Sequence, residues 1–180
     1  TTDLHANVLS FDYMKGVADP TIGFERVASL IRQAREEFPN SFLFDDGDTI
    51  QGTALSDYQA LPGKLDCAGT IAIYKAMDAL GYDGAAIGNH EFNYGLPFLS
   101  QATGTPYDVD DSTKKKCKGP EFPIVLSNVF SASTGKPLHA PFHVVEKTIK
   151  AWTPDGSAIE VPLKVGILGF APPPILKWDK

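Results

Sequence analysis

Apolar side chains recur at helical spacing from Phe24 through Val27, Leu30, Ile31 and Ala34 to Phe38, and Pro39 follows, so residues 23–38 read as an amphipathic helix. The short apolar run 41–44 is bounded by Pro39-Asn40 before and Asp45-Asp46-Gly47-Asp48 after, and it reads as a buried strand ending in a carboxylate-rich loop. A second helix is predicted over 68–80, with Ile71, Ile73, Tyr74, Met77 and Leu80 apolar and Gly81 placed to cap its end. Residues 84–87 form a second short strand that runs into Gly88-Asn89-His90-Glu91, and 123–128 form a third. The strand-rich stretches 142–150 and 159–170 flank Thr153-Pro154-Asp155-Gly156-Ser157, a turn signal, and together predict a hairpin. Residues 102–120 are polar and read as a surface insertion. Strands alternating with helices, then a hairpin, predict an α/β layered fold with a mixed sheet.

Composition narrows the function classes. A chain of 180 residues with 43% hydrophobic residues can build one domain and a sizeable core. Its net charge of −6 repels phosphate backbones, which disfavours a nucleic-acid polymer as partner. The one basic run, Lys114-Lys115-Lys116-Cys117-Lys118, falls in the polar insertion and reads as solvated. No apolar run approaches the roughly 20 residues that span a bilayer as a helix. Cys67 and Cys117 do not have zinc spacing; they are either two buried thiols or one disulfide closing a long loop, and a disulfide requires an oxidising compartment. The chain opens on Thr1-Thr2-Asp3-Leu4-His5 with no strand ahead of the Asp-x-His pair, so it is expected to be a piece of a longer protein.

Three polar clusters carry the chemistry. In an extended chain Asp3 and His5 project to one face. Asp46-Gly47-Asp48 and Gly88-Asn89-His90-Glu91 each follow a predicted strand, where ligands of open α/β sheets gather. An isolated Asp-Gly-Asp is a common turn, and Gly-Asn-His-Glu alone can be a helix start capped by Asn89. The three together, in this order and at strand ends, point to a metal. The donors are oxygen and imidazole without thiolate, which suits manganese, zinc, iron or magnesium and argues against copper(I) or iron–sulfur centres. With Asp48 as a bridge, Asp3 and His5 would hold one ion and Asn89 a second; two ions ~3.5–4 Å apart clamp the attacking and leaving oxygens of phosphoryl transfer.

Asp3-Leu4-His5, Gly47-Asp48 and Gly88-Asn89-His90-Glu91 resemble the first three motifs of the calcineurin-like metallophosphoesterases. Within that superfamily the whole chain looks like the 5′-nucleotidase family. Residues 46–53, 88–95 and 172–180, the last ending in Trp178-Asp179-Lys180, favour the branch that acts on 2′,3′-cyclic nucleotides. The resemblance implies an α/β/β/α sandwich with mixed sheets, of which 1–180 are the N-terminal portion of the catalytic domain. It implies two divalent ions (manganese, zinc, iron, cobalt or magnesium), with Asp3 and His5 at the first, Asp48 bridging and Asn89 at the second. His90 is then the catalytic histidine. Glu91 orients a ligand, and Asn93, standing where many relatives carry Asp, orients His90.

Departures from the family pattern are Ala6 in place of Gly and the absence of the later histidine motifs. His139 and His143 lie in no such motif and read as surface or packing residues, and Trp178 as packing at a domain edge. The C-terminal substrate domain with its base-stacking aromatics is also missing. The implied activity is metal-dependent opening of 2′,3′-cyclic nucleotides to 3′-nucleotides, then release of phosphate and nucleoside, in a periplasmic or otherwise exported protein. The alternatives are a 5′-nucleotidase, UDP-sugar hydrolase or thiosulfohydrolase of the same family, or a non-catalytic metal-binding piece. Single nucleotides are the expected partners.

Overall fold

The computed structural model describes residues 1–61 and 65–178, without the side chains of Leu176 and Trp178. The sequence reading of Trp178-Asp179-Lys180 thus falls on a side chain and on residues outside those described. In chain order the elements are β1 (Phe11–Asp12), β2 (Val17–Ala18), α1 (Phe24–Glu37), β3 (Phe44–Asp45), α2 (Ala54–Ala60), α3 (Ala72–Ala79), β4 (Gly84–Ala86), α4 (Gly95–Thr103), β5 (Ile124–Val125), β6 (Phe142–Trp152), β7 (Ala158–Leu168) and α5 (Ile175–Trp178). Short 3₁₀ turns cover His90–Phe92 and Asp111–Thr113. None of the described helices is long and apolar enough to cross a membrane.

The centre is a parallel sheet in the order β3-β4-β5, registered Phe44↔Gly84 and Ala85↔Ile124. Its middle strand is built of Gly84, Ala85 and Ala86 because its neighbours come close: a Cβ on Gly84 would lie 2.6 Å from Ile167 Cδ1. α1 turns Phe24 and Ala28 into the core, and α3 turns in Ile73, Tyr74 and Met77, where Leu99, Leu126 and Ile87 are also fully enclosed. Gly81 ends α3 as predicted: its φ is 63°, and the Tyr82 N–H donates back to Met77 O across it.

Three elements differ from the sequence reading. α3 starts four residues late, because the segment before it is tied elsewhere: Cys67 is disulfide-bonded to Cys117, Lys118 N–H donates to Cys67 O, and the Thr70 hydroxyl donates to Gly119 O. α2 and α4 were not predicted. α2 is only seven residues long and is nucleated by its Thr53–Ser56 capping box rather than by periodicity. α4 carries Pro97 in its first turn, where the missing N–H costs nothing. The polar insertion is not merely surface: Tyr107 and Thr113 are fully buried within it, and Cys117 is buried.

The predicted hairpin forms over its full length, eleven residues a strand, with Phe142 opposite Leu168 and Trp152 opposite Ala158. The turn closes through Thr153 N–H to Ser157 O, with Gly156 at φ 86°. This antiparallel pair is a sheet of its own beside the parallel one. Lys147 fastens them: its Nζ lies 2.7 Å from Asp83 Oδ2, donates to Ser41 O and stands 4.8 Å above the Phe42 ring. The Asn40 side-chain amide also acts as a strand edge, donating to Lys150 O and accepting from Lys150 N–H.

Candidate metal centre

The loops that leave β3 and β4 at their carboxyl ends meet, and the first residues of the chain lie alongside. Thr1 makes the hydrogen bonds of a parallel strand with β3: its amino group donates to Phe44 O and its carbonyl accepts from Asp46 N–H. Beyond it, Asp3, His5 and Ala6 donate their N–H groups to Gly47 O, Asp48 O and Thr49 O at 2.7–3.1 Å. Here the extended-chain expectation for Asp3 and His5 is corrected. Both lie in the left-handed region, at φ 53° and 46°, with Ala6 at 53°. They still come together, Asp3 Oδ1 lying 3.7 Å from His5 Nε2, because the turn rather than strand alternation folds them onto one another.

Asp48 is the fourth non-glycine residue with positive φ, at 56°, and these four are all there are among the described residues. Strained conformations persist where surrounding structure over-determines them, and they cluster at functional sites. Gly47, at φ 102°, is required at this turn because a Cβ would collide with the Gly88 backbone; a Cβ on Gly88 would in turn strike the Asp48 carboxylate. The two loops therefore touch backbone to backbone.

Glu91 holds them so. It is 1% exposed, and its two carboxylate oxygens accept four backbone N–H groups: Asp48 at 2.9 Å, Thr49 at 2.5 Å, Ile50 at 3.3 Å and Gly88 at 2.7 Å. Burial pushes its carboxyl above the usual range, and the backbone donors pull it back. The sequence reading has Glu91 orienting a ligand; its contacts in the structure run to the backbone of Asp48, the expected ligand, and of its neighbours. Asp45 and Asp46, read as turn residues, behave differently from each other. Asp46 is exposed, whereas Asp45 is buried and accepts from the Thr1 and Thr49 hydroxyls and from Gly47 N–H.

Three donors converge. One ligand atom each from His5, Asp48 and His90 lie within 4.8 Å of one another, and all three residues are half-buried. The two imidazoles stand edge to face, 5.0 Å apart. His5 Nδ1 donates to Gln51 O at 2.8 Å, and His90 Nδ1 donates to Asn93 Oδ1 at 2.6 Å. In each ring Nε2 is thereby the nitrogen available to ligate a metal or to carry a proton. Asp48 Oδ1 accepts His90 N–H at 2.8 Å. This donor set fits a divalent cation. Asp3 is exposed at the edge of the cluster. Asn89 immediately precedes His90; it heads the 3₁₀ turn without a side-chain capping bond, so the capped-helix alternative does not describe it.

Gln51 and Gly52 were missed as contributors. The Gln51 carbonyl sets the His5 tautomer, and Gly52 lets the loop pass, a Cβ there falling 2.7 Å from His5 Cβ. A backbone carbonyl leaves no residue-type signal; the adjacent glycine was the one visible trace. His139 and His143 stand apart from the cluster. His139 is buried against Tyr107, ring centroids 5.9 Å apart, and its Nδ1 accepts Ala140 N–H; His143 is exposed on β6 opposite Ile167.

No protein-family model matches the chain. Over all 180 residues it is 42% identical to the 2′,3′-cyclic-nucleotide 2′-phosphodiesterase/3′-nucleotidase of Yersinia enterocolitica, covering 25% of that protein. It is 41% identical to the trifunctional nucleotide phosphoesterase protein YfkN of Bacillus subtilis, covering 11% of it. The crystal structure of the calcineurin-like phosphoesterase YfkN from Bacillus subtilis superposes on 99% of this chain with a TM-score of 0.82 and 40% identity, over 49% of that structure. The chain spans about a quarter of the length of the first of these relatives. It has the α/β architecture expected and resembles the calcineurin-like phosphoesterases in fold and, at 40–42% identity, the relatives named above in sequence.

Proposed function

We propose that the chain is the N-terminal portion of the catalytic domain of a metal-dependent nucleotide phosphoesterase, one that opens 2′,3′-cyclic nucleotides to 3′-nucleotides and then releases phosphate and nucleoside. The observation that carries this is the convergence of His5, Asp48 and His90, whose ligand atoms lie within 4.8 Å of one another, with each imidazole held through Nδ1 by a carbonyl oxygen. The names of the relatives, a 2′,3′-cyclic-nucleotide phosphodiesterase/3′-nucleotidase and a nucleotide phosphoesterase, support the substrate class.

In this reading Asp3, His5, Asp48 and Asn89 would hold divalent ions, Asp3 and His5 at one position, Asn89 at a second and Asp48 between the two. The ions supply Lewis acidity at the phosphoryl group. The protein's own groups do the rest. Asn93 fixes the His90 ring through Nδ1–H, so a proton taken up at Nε2 is the one available to the leaving 2′ oxygen. Glu91 keeps the Asp48 loop in its left-handed turn. An exported, periplasmic location belongs to this reading, and the Cys67–Cys117 disulfide supports it.

The test is hydrolysis of 2′,3′-cyclic AMP, 3′-AMP and 5′-AMP by the full gene product with Mn²⁺. Cleavage of the first two, falling at least ~100-fold in His90→Ala, is the expected result. Activity confined to 5′-AMP would move the protein to the 5′-nucleotidases, and metal binding without turnover of any of them would overturn the reading.

A further inference from the structure

Each imidazole of the candidate centre is oriented by a short irregular segment. Residues 51–53 hold His5: Gln51 O accepts its Nδ1–H, Gly52 passes close to its Cβ, and the Thr53 hydroxyl donates to Ala6 O at 3.2 Å. The turn that follows His90 holds the other ring through Asn93 Oδ1. Glu91 joins the two sides of the centre from within, but its bonds go to residues 48–50 and to Gly88. They stop short of both Nδ1 acceptors.

A second tie runs outside the cluster, through Tyr94. This residue directly follows Asn93, so its backbone leaves the turn that holds His90. Its hydroxyl donates to Asp57 Oδ1 and lies 3.1 Å from Ser56 Oγ. Both partners belong to the first turns of α2, and Ser56 is buried. Ser56 Oγ in turn accepts Gly52 N–H at 3.3 Å and Thr53 N–H at 3.1 Å, and donates to Thr53 O at 2.7 Å. The start of α2 thereby fixes the segment that surrounds His5. The Tyr94 ring is itself set against Phe98 of α4, edge to face with centroids 5.3 Å apart. Burial first, and then the Asp57 carboxylate, push the Tyr94 pKa up to about 12, so the phenol keeps its proton and remains a donor at neutral pH.

We propose that Tyr94 is a positioning residue: its hydroxyl, bonded to Asp57 beside Ser56, fixes the segment that orients His5 relative to the turn that orients His90, and so sets how the two imidazoles meet in the cluster. The proposal rests on the metal-dependent reading above. Tyr94 touches no reacting group in it and acts through the two histidines.

The test measures Mn²⁺ affinity of the full gene product by titration calorimetry and, in the cobalt-loaded protein, the visible absorption bands that report coordination geometry. Removing a partner that orients a metal ligand costs about 10–100-fold in affinity. Tyr94→Phe keeps the ring against Phe98 and is expected to weaken Mn²⁺ binding about tenfold, the low end of that range, and to shift the cobalt bands. Asp57→Ala should reproduce both effects, and the double variant should lose no more than Tyr94→Phe alone, because the two side chains act through one bond. Asp57→Asn, which keeps an acceptor oxygen, should bind Mn²⁺ as the wild type does. If instead Asp57→Asn loses as much as Asp57→Ala while Tyr94→Phe is unaffected, the carboxylate acts through its charge and the proposal is overturned. Wild-type affinity and spectrum in Tyr94→Phe overturn it equally. If the wild-type protein binds neither ion, the metal reading itself fails and the tie falls with it, a result distinct from the other two.

Discussion

Glu91 does at the scale of one residue what the candidate metal centre would need done. An Asp48 in the left-handed region has to be held there, and four backbone N–H groups converging on one buried carboxylate hold it. Glu91→Gln replaces one acceptor oxygen with an NH₂ group that faces N–H donors. Leaving buried donors unsatisfied costs about 1–3 kcal/mol each. Chemical denaturation of Glu91→Gln is therefore expected to show a loss of at least ~2 kcal/mol, and metal titration a weaker affinity, because the same bonds position Asp48. Wild-type metal affinity in this variant would show that the clamp does not reach the ligand. The residue was legible as a supporting carboxylate from Gly88-Asn89-His90-Glu91; three of its four backbone partners, 41–43 positions earlier in the chain, were not.

Among the elements, the 102–120 insertion departs most from its sequence signature. Its polar composition predicted solvated loop, yet Tyr107, Thr113 and Cys117 are buried, and the Cys67–Cys117 bond ties it to the approach to α3. Spacing of 50 left the pairing open because a disulfide is decided by proximity, which the fold supplies. Closing a loop of that length stabilises the chain by about 4 kcal/mol in the chain-entropy model. Reduction is thus expected to lower the melting temperature by about 10 °C or more. The Cys67→Ser/Cys117→Ser double variant should show the same loss and no further response to reductant; an unchanged melting temperature on reduction would show that burial alone holds the insertion. The hairpin is the opposite case. Two strand-rich stretches about a Thr-Pro-Asp-Gly-Ser turn predicted it, because strand propensity and turn chemistry are both local.

For the molecule as a whole, His139 couples acidity to folding. It sits between the insertion and the chain entering β6, 7% exposed, and burial lowers its pKa to about 4 from 6.5. A histidine held neutral in the folded state contributes stability that is present above its unfolded pKa and is lost as pH falls. Between about pH 6.5 and pH 4 the protein is therefore expected to lose up to about 3 kcal/mol. Urea midpoints measured across this range should decline for the wild type and decline less for His139→Leu. Identical slopes would place the acid sensitivity elsewhere.

Sequence by itself determined the α/β class, α1, the three short core strands, the hairpin, and the identity of the polar residues at the strand ends. These follow from periodicity, turn chemistry and residue type, which act over a few neighbours. Tertiary structure alone decided what joins across the chain. It set the left-handed turn that folds Asp3 against His5, the Gln51 carbonyl that sets the His5 tautomer, and the Glu91 clamp. It also decided the Cys67–Cys117 bond and the late start of α3. Each depends on groups more than 40 positions apart or on backbone atoms that every residue shares, so side-chain identity along the chain does not specify them.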